Sequence, residues 1–130
     1  MGDIFGSDEN ETVTIDWIKF NVPGDYENAS AESNTEINKI FKNHDYNVTS
    51  QSYVKGSTGI VIGVVNYAAN GVSDEEIADQ FLKDKPTTIN GVNGSRYTAD
   101  GGYIFSYQKD GRLIVISTDN EQTISQFVIA

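Results

Sequence analysis

Residues 87–129 read TTINGVNGSRYTADGGYIFSYQKDGRLIVISTDNEQTISQFVI, short β-rich runs broken by Asn90-Gly91, Asp100-Gly101 and Asp110-Gly111. A two-residue type I′ turn needs φ > 0 at both central positions, and Asn-Gly or Asp-Gly supplies that at least steric cost. The stretch therefore predicts an antiparallel meander. With Asp110-Gly111 as the turn, Tyr107 faces Ile114 and Phe105 faces Ile116. Tyr103, Phe105, Tyr107, Ile114 and Ile116 then form one core face. Ile104, Ser106, Gln108, Leu113, Val115 and Ser117 form a mixed face suited to partial cover by a helix. After the meander, Thr118 and Glu121 have capping-box spacing, and Ile124, Phe127 and Val128 give a short terminal helix its buried stripe.

The same reasoning extends towards the N-terminus. Ser73 and Glu76 form a second capping box, and the acidic run Asp74, Glu75, Glu76 suits the positive end of a helix dipole better than a metal site. Ile77, Phe81 and Leu82 are the apolar face of that helix, and Lys83 to Pro86 ends it. Upstream, Tyr46–Val54 and Ile60–Tyr67 read as strands joined through Lys55–Gly59. The second is apolar on both faces, as in a central strand, with Gly63 marking a bulge or a close approach. Ala69-Asn70-Gly71 is a turn. Ile37, Ile40 and Phe41 give a short helix over about Ser33–Phe41.

Between Thr12 and Val22 the apolar phase inverts. Val13 and Ile15 keep one parity, Ile18, Phe20 and Val22 the other. If Asp16-Trp17 is a two-residue turn, Ile15 faces Ile18 and Val13 faces Phe20 on one side of a hairpin. A β-bulge at the same point is the alternative, since Trp is a poor residue for φ > 0. The expected class is α+β: a twisted antiparallel sheet of about six strands with two or three helices packed on it. Residues 1–11 read as a flexible leader or the stub of a removed signal or anchor, and residues 12–130 as a single domain.

Composition narrows the function classes. The chain has 130 residues, 38% hydrophobic and 22% charged, with a formal net charge of −10. Such a surface repels phosphate backbones, which argues against nucleic acid and anionic membranes as partners. With no cysteine, disulfides and thiol chemistry are excluded. The lone histidine, His44, lies in a polar stretch and reads as a surface residue, which argues against a conventional zinc site or Ser-His-Asp triad. The carboxylates fall in turns, caps and the leader, and the glycines among hairpins, so no catalytic residue, metal site or cofactor is assigned. Four Asn-X-Ser/Thr sequons occur, at Asn10, Asn28, Asn47 and Asn93. Aromatics on strands mostly fill cores, so Trp17 at a turn tip is the exception that would suit a partner.

The order VTIDWIKFNVPGDY (13–26), TTINGVNGSRY (87–97), YIFSYQKDGRLIVIS (103–117) and a capped terminal helix resembles small lipoprotein-like extracytoplasmic domains of methanogenic archaea. More distantly, the sheet-and-helix pattern resembles the PsbP/Mog1 type of fold, whose members mostly act as accessory or binding proteins. The resemblance implies an extracytoplasmic location and membrane attachment only through an anchor upstream of the domain. It implies no catalytic residues. Three functional expectations follow. One is a non-enzymatic interaction or accessory domain, tethered at the cell surface, with a protein or cell-surface partner. Another is a small-molecule-binding protein or enzyme with a pocket between sheet and helices, lined by Ser106, Gln108 and Ser117. Self-assembly through an exposed strand edge is a third.

Overall fold

The structure is a computed structural model that describes residues 10–29, 47–83, 85–99 and 102–129. The described strands are β1 (Glu11–Ile15), β2 (Ile18–Val22), β3 (Glu27–Asn28), β4 (Asn47–Lys55), β5 (Thr58–Asn66), β6 (Lys85–Ile89), β7 (Val92–Ala99), β8 (Gly102–Lys109) and β9 (Arg112–Thr118). The described helices are α1 (Asp74–Phe81) and α2 (Glu121–Phe127), with a single 3-10 turn at Ala68–Asn70. The class is α+β. A seven-stranded antiparallel sheet runs β3-β4-β5-β9-β8-β7-β6, and β1-β2 forms a separate hairpin. The larger sheet exceeds the six strands expected through β3, which is two residues long. So short a strand escapes a reading based on hydrophobic runs.

The turns carry the geometry their residues require. Asn90 and Gly91 have φ 51° and 82°, and Asp110 and Gly111 have φ 52° and 77°. The β8–β9 register pairs Tyr107 with Ile114 and Phe105 with Ile116, as the Asp110-Gly111 turn predicts. Asp100-Gly101 lies outside the described residues, although the pairs beside it run up to Ala99 opposite Gly102. The Lys55–Gly59 loop is tighter than the sequence implied: Lys55 already pairs with Thr58, which leaves Gly56 (φ 60°) and Ser57 as the turn. Gly63 sits in unbroken register between Ser50 and Val115, so it marks no bulge.

This register sorts side chains to two cores. On one face, Ile60, Ile62 and Val64 of β5 join Phe105 and Tyr107 of β8 and Ile114 and Ile116 of β9. The β1–β2 hairpin (Ile15, Ile18, Phe20, Val22) and α2 (Ile124, Phe127), with Val128 just beyond it, cover that face. On the other, Val65, Leu113 and Val115 pack with Tyr67 and with Ile77 of α1. β5 is thus covered on both sides, which is why it is apolar from Ile60 to Val65. Each fully buried side chain of this size contributes about 1.5–3 kcal/mol. β7 comes close to β8 at Gly94, where a Cβ would clash with the Ser106 carbonyl oxygen and lie 2.9 Å from Phe105 Cε1.

The two helix starts differ. At α1, Ser73 Oγ accepts from the Glu76 amide at 3.2 Å, as the capping spacing predicts. At α2 the N-cap is Asn120 and not Thr118: Asn120 Oδ1 accepts from the Gln122 amide at 3.1 Å. Thr118 remains paired in β9, and its hydroxyl donates to the Gly59 carbonyl at 2.7 Å. The expected helix over Ser33–Phe41 and the reading of His44 lie outside the described residues.

The C-terminal end of α2 is held by distant asparagines. Asn90 Nδ2 donates to the Ser125 carbonyl at 2.7 Å and the Val128 carbonyl at 3.1 Å, and Asn21 Nδ2 donates to the Gln126 carbonyl at 2.9 Å. These carbonyls are among those a helix end leaves without partners. Edge strand β6 is blunted. Ile89 and Val92 flank the turn, so by alternation Pro86 faces outward, where a missing N–H costs no ladder bond and offers none to a neighbour. Asn90→Gly keeps the turn's φ but removes two caps. It should lower unfolding free energy by about 1–2 kcal/mol in urea denaturation with an unchanged m value.

Candidate functional site

Trp17 and the mixed face lie on opposite sides of the main sheet. The Asp16-Trp17 turn is a hairpin tip, with Ile15 opposite Ile18 and Val13 opposite Phe20, which settles the choice against a bulge. Asp16 has φ 45° and Trp17 φ 74°. Among the described type I′ turns, the other two place glycine where this one places tryptophan. A left-handed conformation costs an L-residue about 1–2 kcal/mol, and Asp tolerates it better than a bulky aromatic. Burial does not compensate, because Trp17 is 79% exposed.

The tip is fixed from below. Ile15 and Ile18, directly beside the turn, are each 1% exposed in the core. Asp16 Oδ2 lies 3.2 Å from Arg112 Nε, an ion pair of two largely buried side chains without hydrogen-bond alignment at Nε. Arg112 also donates through Nη1 to the Asp110 carbonyl at 2.7 Å, which links the two turns. The indole therefore projects from an anchored base. No local sequence signal marks the Asp16–Arg112 pair, because its partners are far apart in the chain.

Of the three polar residues of the mixed face, Gln108 is bonded to α1. Gln108 Nε2 donates to the Tyr67 hydroxyl at 3.1 Å and to the Asp74 carbonyl at 2.7 Å. The Tyr67 hydroxyl donates in turn to Asp74 Oδ1. Gln108 thus ties the sheet to the first turn of α1. Ser106 is 4% exposed, and Ser117 is half-buried between Val61 and Ile104. Asp74, Glu75 and Glu76 occupy the first turn of α1. On the other face, the buried Tyr107 hydroxyl has no hydrogen-bond partner, and burial pushes its pKa up, which keeps it protonated. Of the sequons, Asn10, Asn28 and Asn93 are exposed. Asn93 Oδ1 accepts from Thr88 Oγ1 at 2.7 Å, and Asn47 opens β4.

Tyr67 gives this network a pH signature. Its pKa is pushed up to about 12, first by desolvation and then by the bond to Asp74. The unfolded chain releases this proton near the ordinary tyrosine value of about 10, whereas the folded chain keeps it. Stability from this group is therefore complete below about pH 10 and lost as pH rises to about 12. Tyr67→Phe should flatten that alkaline decline in urea midpoints measured between those limits. Compared with known proteins, the chain matches no family model, no curated protein sequence and no solved structure.

Proposed function

We propose that this chain is a non-enzymatic interaction domain, displayed outside the cytoplasm on an anchored protein, that engages a protein partner through the Trp17 tip. The observation that carries the reading is Trp17 itself, an exposed indole held at positive φ on an anchored hairpin. Strained backbone that buries nothing is a cost to the fold, and such outliers cluster at functional positions. Tryptophan is also the side chain most enriched among residues that dominate binding energy when inserted into a partner's pocket. The acidic surface and the exposed sequons Asn10, Asn28 and Asn93 agree with an extracytoplasmic setting. Kinship with the lipoprotein-like domains of methanogenic archaea, and more distantly with the PsbP/Mog1 type of fold, belongs to the same proposal. The antiparallel sheet with a helix against each face supports it.

A pocket between sheet and helices is the weaker reading. Gln108 is already committed to Tyr67 and Asp74, and Ser106 is buried, so neither is free to meet a ligand.

Trp17→Gly should raise unfolding free energy by about 0.5–1 kcal/mol, the relief of strain less the entropy that glycine adds to the unfolded chain. The thermal midpoint should rise by roughly 2–4 °C. A photoreactive benzoylphenylalanine at position 17 should form a discrete adduct in the native host, and the same group at Thr88 should not. A destabilised Trp17→Gly variant, or equal crosslinking from both positions, contradicts the proposal.

A further inference from the structure

At the opposite end of the β1–β2 hairpin from Trp17, a groove of about 400 Å³ opens to solvent, lined by Asn10, Asn21, Pro23, Asp25, Lys55 and Gln126. We propose that this groove is a binding site for a neutral saccharide, separate from the Trp17 tip.

The lining decides the ligand class. Asp25 and Lys55 form an ion pair at 2.7 Å, so the groove carries both charges in compensated form. A lone anion would meet the field of a chain with net charge −10, and a lone cation would have to displace Lys55 from its partner. An apolar ligand finds little beyond the Pro23 ring. Asn10, Asn21 and Gln126 each carry a carboxamide with two donors and an acceptor. A ligand with adjacent hydroxyls, each able to donate and accept, matches that set.

One wall is held before any ligand arrives. Asn21 is bonded to the Gln126 carbonyl, and Asn90 holds the neighbouring carbonyls of α2. Tyr26 packs edge-on against Phe127 with centroids 5.1 Å apart, and Lys55 Nζ lies 5.9 Å from the Tyr26 ring centroid. The Tyr26 hydroxyl reaches Gln126 Oε1 only at 3.5 Å, the outer limit of a hydrogen bond, so a ligand hydroxyl competes with it at small cost. Polar groups held in place lose less entropy on binding than mobile ones.

The test is an amide-resolved NMR titration of the whole chain, made in a non-glycosylating host. The probes are methyl glucoside, methyl mannoside and N-acetylglucosamine, with glucuronate and glucosamine as charged controls. At least one neutral sugar should give saturable shifts confined to Asn21, Lys55, Gln126 and their neighbours, with a millimolar dissociation constant. The exposed Gln126→Ala and Lys55→Gln should each weaken it at least about fivefold, the value of one lost hydrogen bond, and Trp17→Gly should leave it unchanged. The proposal is overturned by an absence of saturable shifts with every neutral sugar, by shifts remote from the groove, by stronger binding of a charged control, or by unaltered affinity in both groove variants. None of these outcomes bears on the Trp17 tip.

Discussion

Two consecutive residues at positive φ are the constraint on which this architecture rests. A two-residue turn of that kind matches the right-handed twist of the strands it joins, and it fixes register without latitude. At Asp110-Gly111 it places Tyr107 opposite Ile114. Because side chains alternate, that single pairing assigns β8 and β9 residues to a face. A slip of one residue would turn one strand's pair, Phe105 and Tyr107 or Ile114 and Ile116, away from the hairpin and α2. β5 pairs with β9 in turn, so Ile60, Ile62 and Val64 follow the same assignment. Hairpin and α2 cover one face, and α1 covers the other.

In the described type I′ turns, local preference and backbone agree at Asn90-Gly91 and Asp110-Gly111 and part at Trp17. Asn90-Gly91 and Asp110-Gly111 satisfy both the backbone and the neighbours. Asn90 additionally caps the end of α2, and the Gly111 carbonyl accepts from the Ala68 amide at 3.2 Å. Asp16 serves its turn and pairs with Arg112. Trp17 neither relieves its turn nor packs into a core. Among the described type I′ turns this is the one whose second position strains its residue, and the proposed function rests on that strain.

What was legible in the sequence was whatever adjacent residues determine. Turn dipeptides and alternation sufficed for the two faces of β8 and β9 and for the start of α1 at Ser73, whereas at Asp16-Trp17 they left a hairpin and a bulge open, and the register decides for the hairpin. In β6 and β7, where Thr87, Asn93, Gly94 and Arg96 alternate without an apolar pattern, the Asn90-Gly91 turn alone carried the reading, and the two-residue β3 carried no signal. The N-cap of α2 was misplaced by two residues. Spacing identified Thr118, but the sheet keeps that hydroxyl for Gly59 and leaves the cap to Asn120. Contacts between remote segments left no trace in the linear pattern. Asp16 with Arg112, Asn90 with the end of α2, and the groove shared by Asn21, Lys55 and Gln126 exist only once the chain has folded.

The chain has one tryptophan, so its intrinsic indole fluorescence reports on Trp17 alone. The central claim is that this side chain stands in water above a rigid, anchored turn. Emission of the folded protein should therefore match free indole in water, with acrylamide quenching as efficient as for N-acetyltryptophanamide and with anisotropy showing that the tip does not move independently of the domain. Blue-shifted emission protected from acrylamide would mean that the indole is buried, and would contradict the account.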